Sequence, residues 1–314
     1  MGLKEKIFNK RAILPLLIGC MVFYFLFTKL DLEEVIKIIK NINIFYFILS
    51  VFVGFSVFPL WALRWQILLK NAGLNKKLRD LTEILFLSSF ISCLIPAKAG
   101  ELYKAYLIKK NYKFSMAKTI GAIFVERLAD MIFLTILLVI FVWVVFKQIL
   151  PSTIVTPIKI LFILTIALLA LVFLMKHQRK RIIKILPKKI KKIFMNFEKG
   201  VSRCLKLRDI PLVIIYSILR WSVQIAGVYL AVLAIHLDIS FFLVIFIVLV
   251  SAIITLVPVT PEGVGIGELA IAGILVIFNV EKNMAISTAI LIRLANYWMM
   301  ILFGSIVYAI SSKK

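Results

Sequence analysis

The sequence predicts an all-α polytopic membrane protein that forms a single integral membrane domain over residues 1–314. Three observations support this prediction. Hydrophobic residues make up 62% of the chain and the mean hydropathy is +1.04, whereas a soluble domain is about half apolar. Long apolar segments recur along the chain. Of the 39 Lys and Arg residues, 29 fall in loops on one side of those segments.

Six apolar segments are long enough to cross a bilayer as helices, because a hydrocarbon core of about 30 Å needs about 20 residues. They are residues 12–28, 44–69, 119–146, 158–175, 211–234 and 285–310. The first contains Leu17-Ile18-Gly19-Cys20, which imitates a lipoprotein cleavage site. Since the apolar run continues to Phe27, we expect an uncleaved membrane anchor.

The distribution of basic residues among the loops predicts the orientation. With a cytoplasmic N-terminus, the basic residues gather in cytoplasmic loops, 13 of them in residues 176–208. The positive-inside rule then predicts a multi-pass protein of the cell membrane with both termini in the cytoplasm. The same assignment accounts for the formal net charge of +24 without nucleic acid as a partner.

Two shorter apolar segments, 81–95 and 241–257, each run into a break rich in Pro and Gly. The first break has the sequence LIPAKAGEL and the second LVPVTPEGVGIGEL, so both begin with L-x-P and end with G-E-L. The first segment starts from a cytoplasmic loop and the second from an outside loop. We therefore expect two opposed re-entrant hairpins, about 81–110 and 241–280, as in inverted-repeat transporters. Ordinary spans joined by capped loops are the alternative.

The second break combines helix-start signals with glycines and carboxylates. Thr260 and Pro261 suit the cap and first position of a helix, and three alternate glycines allow close backbone approach. These are Gly263, Gly265 and Gly267. The helix N-terminus attracts anions, but Glu262 and Glu268 add negative charge there. We therefore expect a cationic partner nearby.

Charged residues within spans cost at least about 2.5 kcal/mol each on insertion scales, so each predicts a partner or a hydrated pathway. Glu126, Arg127 and Asp130 form an E-R-x-x-D cluster that can pair along one helix. Arg64 lies five residues from the inner end of its span and is flanked by tryptophans. It either belongs to the pathway or snorkels to the interface.

Two arginines lie deep in the later spans. Arg220 has Gln224 one turn on, and Arg293 is followed by Asn296 and Tyr297. Arginine can donate two hydrogen bonds to a phosphate while amide and phenol groups bind its neighbours. This pattern favours a site for a lipid head, and buried ion pairs with Glu101, Glu262 or Glu268 are the alternative.

The segment 176–208 contains apolar residues at helical spacing after Pro187 and Glu198 as its one acidic residue. The apolar positions are Ile190, Ile193, Phe194, Phe197, Val201 and Leu205. This pattern predicts a basic amphipathic helix that attracts anionic lipid. A topology anchor without further role is the alternative.

These residues together resemble the membrane domain of lysylphosphatidylglycerol synthases and its stand-alone, flippase-like relatives, over nearly the whole chain. The resembling pieces are Arg64-Trp65 with Leu68-Leu69, Pro96-x-x-x-Gly100-Glu101, Glu126-Arg127-x-x-Asp130, the Pro258 to Glu268 break, and Arg293 with Tyr297. The resemblance implies movement of a phospholipid between leaflets. In that family a separate soluble domain attaches the amino acid. The chain leaves no room for it, so we do not expect aminoacyl transfer.

We therefore predict a lipid flippase for a charged phospholipid or a polyprenyl-phosphate-linked lipid, working by alternating access. An intramembrane enzyme on lipid-linked substrates and a non-catalytic scaffold for a soluble glycosyl- or aminoacyl-transferase are the alternatives. The predicted site residues are Arg64, Lys98, Gly100, Glu101, Glu126, Arg127, Asp130, Arg220, Glu262, Gly263, Gly265, Gly267, Glu268, Arg293, Asn296 and Tyr297.

The sequence predicts neither a metal site nor a cofactor, since its three cysteines and two histidines are scattered. Membrane lipids are the expected partners, and whether the chain forms a homodimer stays open.

Overall fold

The computed structural model describes residues 32–95, 98–145, 152–177, 187–204, 206–254 and 260–311. Every regular element in these ranges is helical, which confirms the all-α class. The first predicted span, 12–28, lies outside the described residues.

Thirteen α-helices lie in the described ranges. They are α1 (Leu32–Lys40), α2 (Ile44–Phe55), α3 (Val57–Ala72), α4 (Leu78–Leu94), α5 (Ala99–Tyr112), α6 (Met116–Ile140), α7 (Ser152–His177), α8 (Lys188–Cys204), α9 (Ile210–Ala234), α10 (Phe241–Ile254), α11 (Ile266–Ile277), α12 (Lys282–Arg293) and α13 (Met299–Ser311). Wide π turns at Phe141–Val145 and Leu294–Trp298 extend α6 and join α12 to α13.

The chain divides into two compact units. Unit 1 comprises Met1–Phe58, Leu85–Tyr103 and Arg220–Lys314, and unit 2 comprises Pro59–Ile84 and Lys104–Leu219.

Four continuous helical stretches in the described residues are long and apolar enough to cross a bilayer. They are Ile44–Ala72, Met116–Val144, Ile210–Ala234 and Lys282–Ser311. Each coincides with a predicted full span. The predicted span 158–175 lies within α7, whose shorter apolar part is Ile158–Ala170. The chain is therefore a polytopic membrane protein.

Both predicted breaks separate two helices, as expected: α4 from α5, and α10 from α11. At the first break Gly100 lies directly against α4, because a Cβ added there would overlap the Ser88 carbonyl oxygen and the Ser92 hydroxyl. Only glycine permits this approach. The helix–break–helix arrangement is confirmed, and the depth to which each pair enters the bilayer stays a prediction.

The described part of the basic segment after Pro187 forms helix α8, which packs on α6 within unit 2. A Cβ added at Gly121 of α6 would lie 2.6 Å from the Phe197 carbonyl oxygen, and one at Gly200 of α8 would lie 2.5 Å from the Lys118 carbonyl oxygen. The two backbones therefore touch through small residues, as is common for helices in membranes. This contact fixes one face of the amphipathic helix, whereas Ile193 on α8 stays exposed.

Candidate functional site

Unit 1 contains a cavity of about 250 Å³ between α9, α10, α11 and α12, which we call the arginine cavity. Its polar lining is Arg220, Gln224, Ser251, Glu262, Arg293 and Asn296. Aliphatic side chains from the same four helices form the rest of the wall, and Trp221 and Gly267 complete it. A polar patch beside an apolar wall suits an amphiphilic ligand.

Arg293 is held in the wall of the arginine cavity by the second break. Its Nε donates to Glu268 Oε1 at 3.1 Å, and its Nη2 donates to the Glu262 carbonyl oxygen at 3.1 Å. The other oxygen of Glu268 accepts from the Gly265 backbone N–H at 2.8 Å and so caps α11. One carboxylate thus fixes both the helix start and the arginine. The predicted cationic partner of the break is Arg293, and the ion pair with Glu268 that was the alternative for Arg293 is present.

The glycines of the second break play different parts. Gly263 and Gly265 have φ values of +71° and +84°, which strain any residue with a Cβ. Gly267 is helical, and a Cβ there would lie 3.9 Å from Arg293 Cζ in ordinary contact. Gly267 therefore lies in α11 beside the Arg293 guanidinium, whereas Gly263 and Gly265 form the turn before α11. Thr260 and Pro261 begin a short 3₁₀ turn, and α11 begins five residues later.

Arg220 and Asn296, two of the predicted site residues in the later spans, both line the arginine cavity. The Arg220 guanidinium stacks on the Trp221 ring with Cζ 4.5 Å from the ring centre, a favourable cation–π arrangement. Gln224 Nε2 donates to Asn296 Oδ1 at 3.4 Å. The π turn that contains Asn296 directly follows Arg293, and such turns are frequent at functional sites.

Tyr297 supports the cavity from outside its wall. Its hydroxyl donates to the Cys93 carbonyl oxygen at 2.8 Å, and its ring lies 4.8 Å from Arg293 Cζ. The phenol therefore ties the last span to the end of α4, next to the first break.

An ion pair joins the two breaks within unit 1. Lys98 Nζ lies 3.9 Å from Glu262 Oε2, and both side chains are about 30% exposed. Both residues have left-handed backbone conformations, with φ of +55° and +44°. Glu101 lies in the first turn of α5, just beyond Lys98.

Unit 2 contains four of the predicted charges, Arg64, Glu126, Arg127 and Asp130. Together with Lys104 they form what we call the buried charge cluster. Arg64 donates to both oxygens of Asp130, at 2.6 and 3.1 Å, and lies 3.4 Å from Glu126. Arg127 Nη1 lies 3.5 Å from Asp130 Oδ2. The predicted pairing of Arg127 with Asp130 is confirmed.

Arg64 is fully buried, so its predicted alternative as a snorkelling residue is wrong. The reason is that its two Nη atoms donate to Asp130 and Glu126 of α6. Ser217 Oγ also accepts from Arg64, at 3.0 Å. Trp61 donates to Glu126 from the same helix as Arg64.

Lys104 belongs to this cluster although the sequence does not predict it, because it lies among the six basic residues of 98–118, a predicted cytoplasmic loop. Its Nζ lies 3.0 Å from Glu126 Oε2, and the side chain is fully buried. The amine also lies 4.8 Å from the centre of the Trp65 ring. Helical spacing offered a signal, because Ile108 lies one turn further on the same face and is equally buried.

The described residues contain no group of three or more His, Cys, Asp or Glu side chains placed to hold a metal ion. The arginine cavity and the buried charge cluster present guanidinium, ammonium, carboxylate and amide groups that form ion pairs and hydrogen bonds. That one ligand contacts both the arginine cavity and the buried charge cluster stays a prediction.

Comparison with known proteins gives one family. The model of the lysylphosphatidylglycerol synthase TM region matches residues 12–304. A UPF0104 membrane protein of Methanocaldococcus jannaschii is 35% identical over 223 residues, which cover 70% of this chain and 94% of that protein. A UPF0104 membrane protein of Pyrococcus horikoshii is 25% identical over 93% of this chain and 95% of its own length. No solved structure gave a significant match.

Proposed function

Because this chain belongs to the lysylphosphatidylglycerol synthase TM-region family, we propose that it moves an anionic lipid between the two leaflets of the membrane. The lipid phosphate binds at the arginine cavity while the hydrocarbon tails stay in the bilayer. In this proposal the protein is a transporter and not an enzyme.

The observation that carries the proposal is the pair of arginines, Arg220 and Arg293, in one cavity with an aliphatic wall. A phosphate that crosses the hydrocarbon layer loses its hydration, and guanidinium groups replace it with charge-assisted hydrogen bonds. A cavity of about 250 Å³ is smaller than most drug-sized pockets, which start near 300 Å³. It therefore suits a head group and not a whole lipid.

The two breaks supply the moving parts of the proposed alternating-access cycle. Helices interrupted near the membrane centre are typical of transporters that rock around a fixed site. The Lys98–Glu262 ion pair is partly exposed, and pairs of this kind contribute little to stability. It can therefore open and close at low cost, and we assign it to the opening of the cavity beside Glu262.

The buried charge cluster has a different proposed role. Its pairs are short and almost fully buried, and separating buried charges is expensive. We therefore assign Arg64, Asp130 and Glu126 to holding unit 2 together, not to binding lipid. Arg127 is the cluster member with an exposed flank, at 26%, and is the one we assign to contact with a passing head group.

A transport assay tests the proposal. The full chain is reconstituted into vesicles that contain a fluorescent phosphatidylglycerol, and lipid in the outer leaflet is bleached chemically. Protein that moves lipid raises the bleached fraction above the half found in empty vesicles. Arg220→Gln is the test variant, and Arg208→Gln, which alters an exposed arginine paired with Asp209, is the matched control.

The proposal predicts slower bleaching with Arg220→Gln and wild-type bleaching with Arg208→Gln. Wild-type protein that leaves the bleached fraction at one half would refute transport of this lipid. Equal rates for the two variants would remove Arg220 from the site.

We also propose that the protein resides in the cell membrane with both termini in the cytoplasm, on the positive-inside rule. A C-terminal fusion to green fluorescent protein would then fluoresce, and a fusion to alkaline phosphatase would be inactive. The opposite pattern would reverse the orientation.

A further inference from the structure

Helix α8 lies beside the ends of three spans in unit 2. The Asn71 side chain, at the end of α3, donates to the Cys204 carbonyl oxygen of α8 at 3.1 Å and to Asp209 Oδ2 at 2.8 Å. Asp209 directly precedes α9. The contact of α8 with α6 includes Gly121, five residues after α6 begins, or about 7.5 Å at 1.5 Å per residue. Because α3, α6 and α9 belong to spans, α8 lies at the membrane surface.

One side of α8 is apolar, and the spans cover only part of it. Phe197 and Gly200 lie against α6, where the Phe197 ring also contacts Phe124. Ile193 lies four residues before Phe197 and therefore on the same side of the helix. The described residues leave 62% of Ile193 exposed. The contact with α6 thus explains the C-terminal half of this side, whereas the isoleucine in the N-terminal half suits the hydrocarbon edge of the bilayer.

The other side of α8 is basic. Lys191, Lys199 and Arg203 share it, at helical spacings of eight and four residues. Lys191 and Arg203 are exposed, and Lys199 is half-buried. Glu198, the one acidic residue of α8, is buried at 8% exposure. The exposed charge in the described part of this helix is therefore positive.

We propose that α8 is a binding surface for the anionic lipid of the surrounding leaflet, separate from the arginine cavity, and that it gathers this lipid around unit 2. A helix that lies in the plane of the interface, with basic residues on one side and an apolar residue on the other, binds anionic head groups in this way. The close backbone contact between Gly121 and Gly200 holds the helix in place. The proposal does not rest on the proposed function.

The position of α8 favours lipid over an acidic soluble protein as the partner. A soluble partner would cover the basic side and leave Ile193 to the water. A lipid surface satisfies both sides at once, because its phosphates meet Lys191 and Arg203 while its acyl chains meet Ile193.

The test measures which lipid touches α8. Ile193→Cys in a Cys20→Ser background carries an environment-sensitive dye, and the buried thiols of Cys93 and Cys204 stay unlabelled. The full chain is reconstituted into phosphatidylcholine vesicles that contain a small fraction of spin-labelled phosphatidylglycerol or of spin-labelled phosphatidylcholine. Both quenchers have the same labelled acyl chain. The ratio of their quenching therefore gives the local enrichment of the anionic lipid.

We expect a quenching ratio of about five at Ile193→Cys, the enrichment that one basic residue near the surface provides. In about 1 M salt, where the Debye length is about 3 Å, the ratio should fall close to one. Phe52→Cys is the matched label position, because Phe52 is 71% exposed and residues 41–63 contain no Lys or Arg. Its ratio should be close to one at either salt concentration.

Two triple variants, each combined with Ile193→Cys, separate a local surface from overall charge. The first neutralises the basic side of α8 and should bring the ratio close to one: Lys191→Gln, Lys199→Gln and Arg203→Gln. The second removes three exposed lysines at the end of α5 and should keep the ratio: Lys109→Gln, Lys110→Gln and Lys113→Gln. Equal loss of the ratio in both would overturn the proposal.

The remaining outcomes separate this proposal from its competitors. Equal quenching by the two lipids at Ile193→Cys would overturn the anionic preference. A dye that aqueous iodide quenches and neither lipid quenches would place α8 in water and leave its basic side to an acidic soluble partner. Arg220→Gln should keep the ratio, and its loss would assign the lipid to the arginine cavity. A ratio that persists in a protein without lipid transport would refute the proposed function alone.

Discussion

Replacing Arg64 by methionine tests the role assigned to the buried charge cluster. The variant keeps much of the length of the side chain and removes its charge. Asp130, which is 1% exposed, then loses the bonds at 2.6 and 3.1 Å, and Ser217 loses the bond at 3.0 Å. Arg127 stays 3.5 Å from Asp130, so the carboxylate keeps one cationic neighbour.

The expected cost follows from these contacts. Removing one partner of a buried ion pair costs about 3 to 5 kcal/mol. Because Arg127 stays near Asp130, we expect Arg64→Met to lower the free energy of unfolding by about 3 kcal/mol, the lower end of this range. With roughly 2 °C lost per kcal/mol in a chain of this size, the melting temperature should fall by about 6 °C. Arg127→Met, which removes a partly exposed cation at 3.3 to 3.5 Å from its partners, should cost about 1 kcal/mol, or roughly 2 °C.

The unfolding assay uses the chain's own thiols. Cys93 and Cys204 are buried, so a thiol-reactive dye labels them only as the protein unfolds. A Cys20→Ser background removes the third cysteine. The purified protein is heated in detergent with the dye, and the temperature of half-maximal fluorescence is recorded for each variant.

A double variant, Arg64→Met with Asp130→Asn, makes the assignment specific. Removing both charges leaves no uncompensated carboxylate, so the double variant should lose about 2 kcal/mol less than the sum of the two single variants. An Arg64→Met protein that melts within 1 °C of wild type would refute the structural role. So would strict additivity of the two single changes.

Three further predictions concern packing, the ion pair between the breaks, and thiol reactivity. Gly121→Ala should lower the melting temperature by about 4 °C, because overpacking costs about 2 kcal/mol. Gly273→Ala is the control and should not lower it, since the space around an added Cβ is open there. An equal loss in the two variants would contradict the packing argument. Lys98→Glu should lower the melting temperature by only about 1 °C, since the pair with Glu262 is partly exposed. Adding Glu262→Lys to the same chain should restore the melting temperature, because it exchanges the two charges. A double variant that melts no higher than Lys98→Glu would disprove the pairing. Burial raises the pKa of the Cys204 thiol to about 12, because the uncharged form is favoured away from water. Its alkylation in folded protein should therefore stay negligible from pH 7 to pH 9, and a rise across that range, measured by mass spectrometry, would contradict the burial.

The sequence predicts the helices and breaks well because both depend on local signals. Apolar length locates the spans, and Pro and Gly locate the two breaks. The pairing of Arg127 with Asp130 follows from helical spacing. A cationic partner at the second break follows from the two carboxylates, Glu262 and Glu268, whose charges within a membrane segment need a partner.

What the sequence does not predict depends on contacts between distant segments. Arg64 lies near the end of its span, so its depth alone permits snorkelling. Its contacts with Asp130 and Glu126 of α6 and with Ser217 of α9 accompany its burial. Lys104 lies in a stretch with six basic residues and is separated from Glu126 by 22 positions. The hydrogen bond of Tyr297 joins it to a carbonyl 204 positions away. No pattern within a single segment predicts contacts between residues so far apart in the sequence.

The most direct test of the central claim is native mass spectrometry of the lipid that stays with the full chain after gentle purification. The wild-type protein is compared with Arg220→Gln, with the neutral pair Glu268→Gln and Arg293→Gln, and with Arg208→Gln. Changing both residues removes the Glu268 carboxylate together with its arginine, so no buried charge is left without a partner. The account predicts one anionic lipid bound to wild type and to Arg208→Gln and lost from the two cavity variants. Equal retention of that lipid by all four proteins would contradict the claim that the arginine cavity binds it.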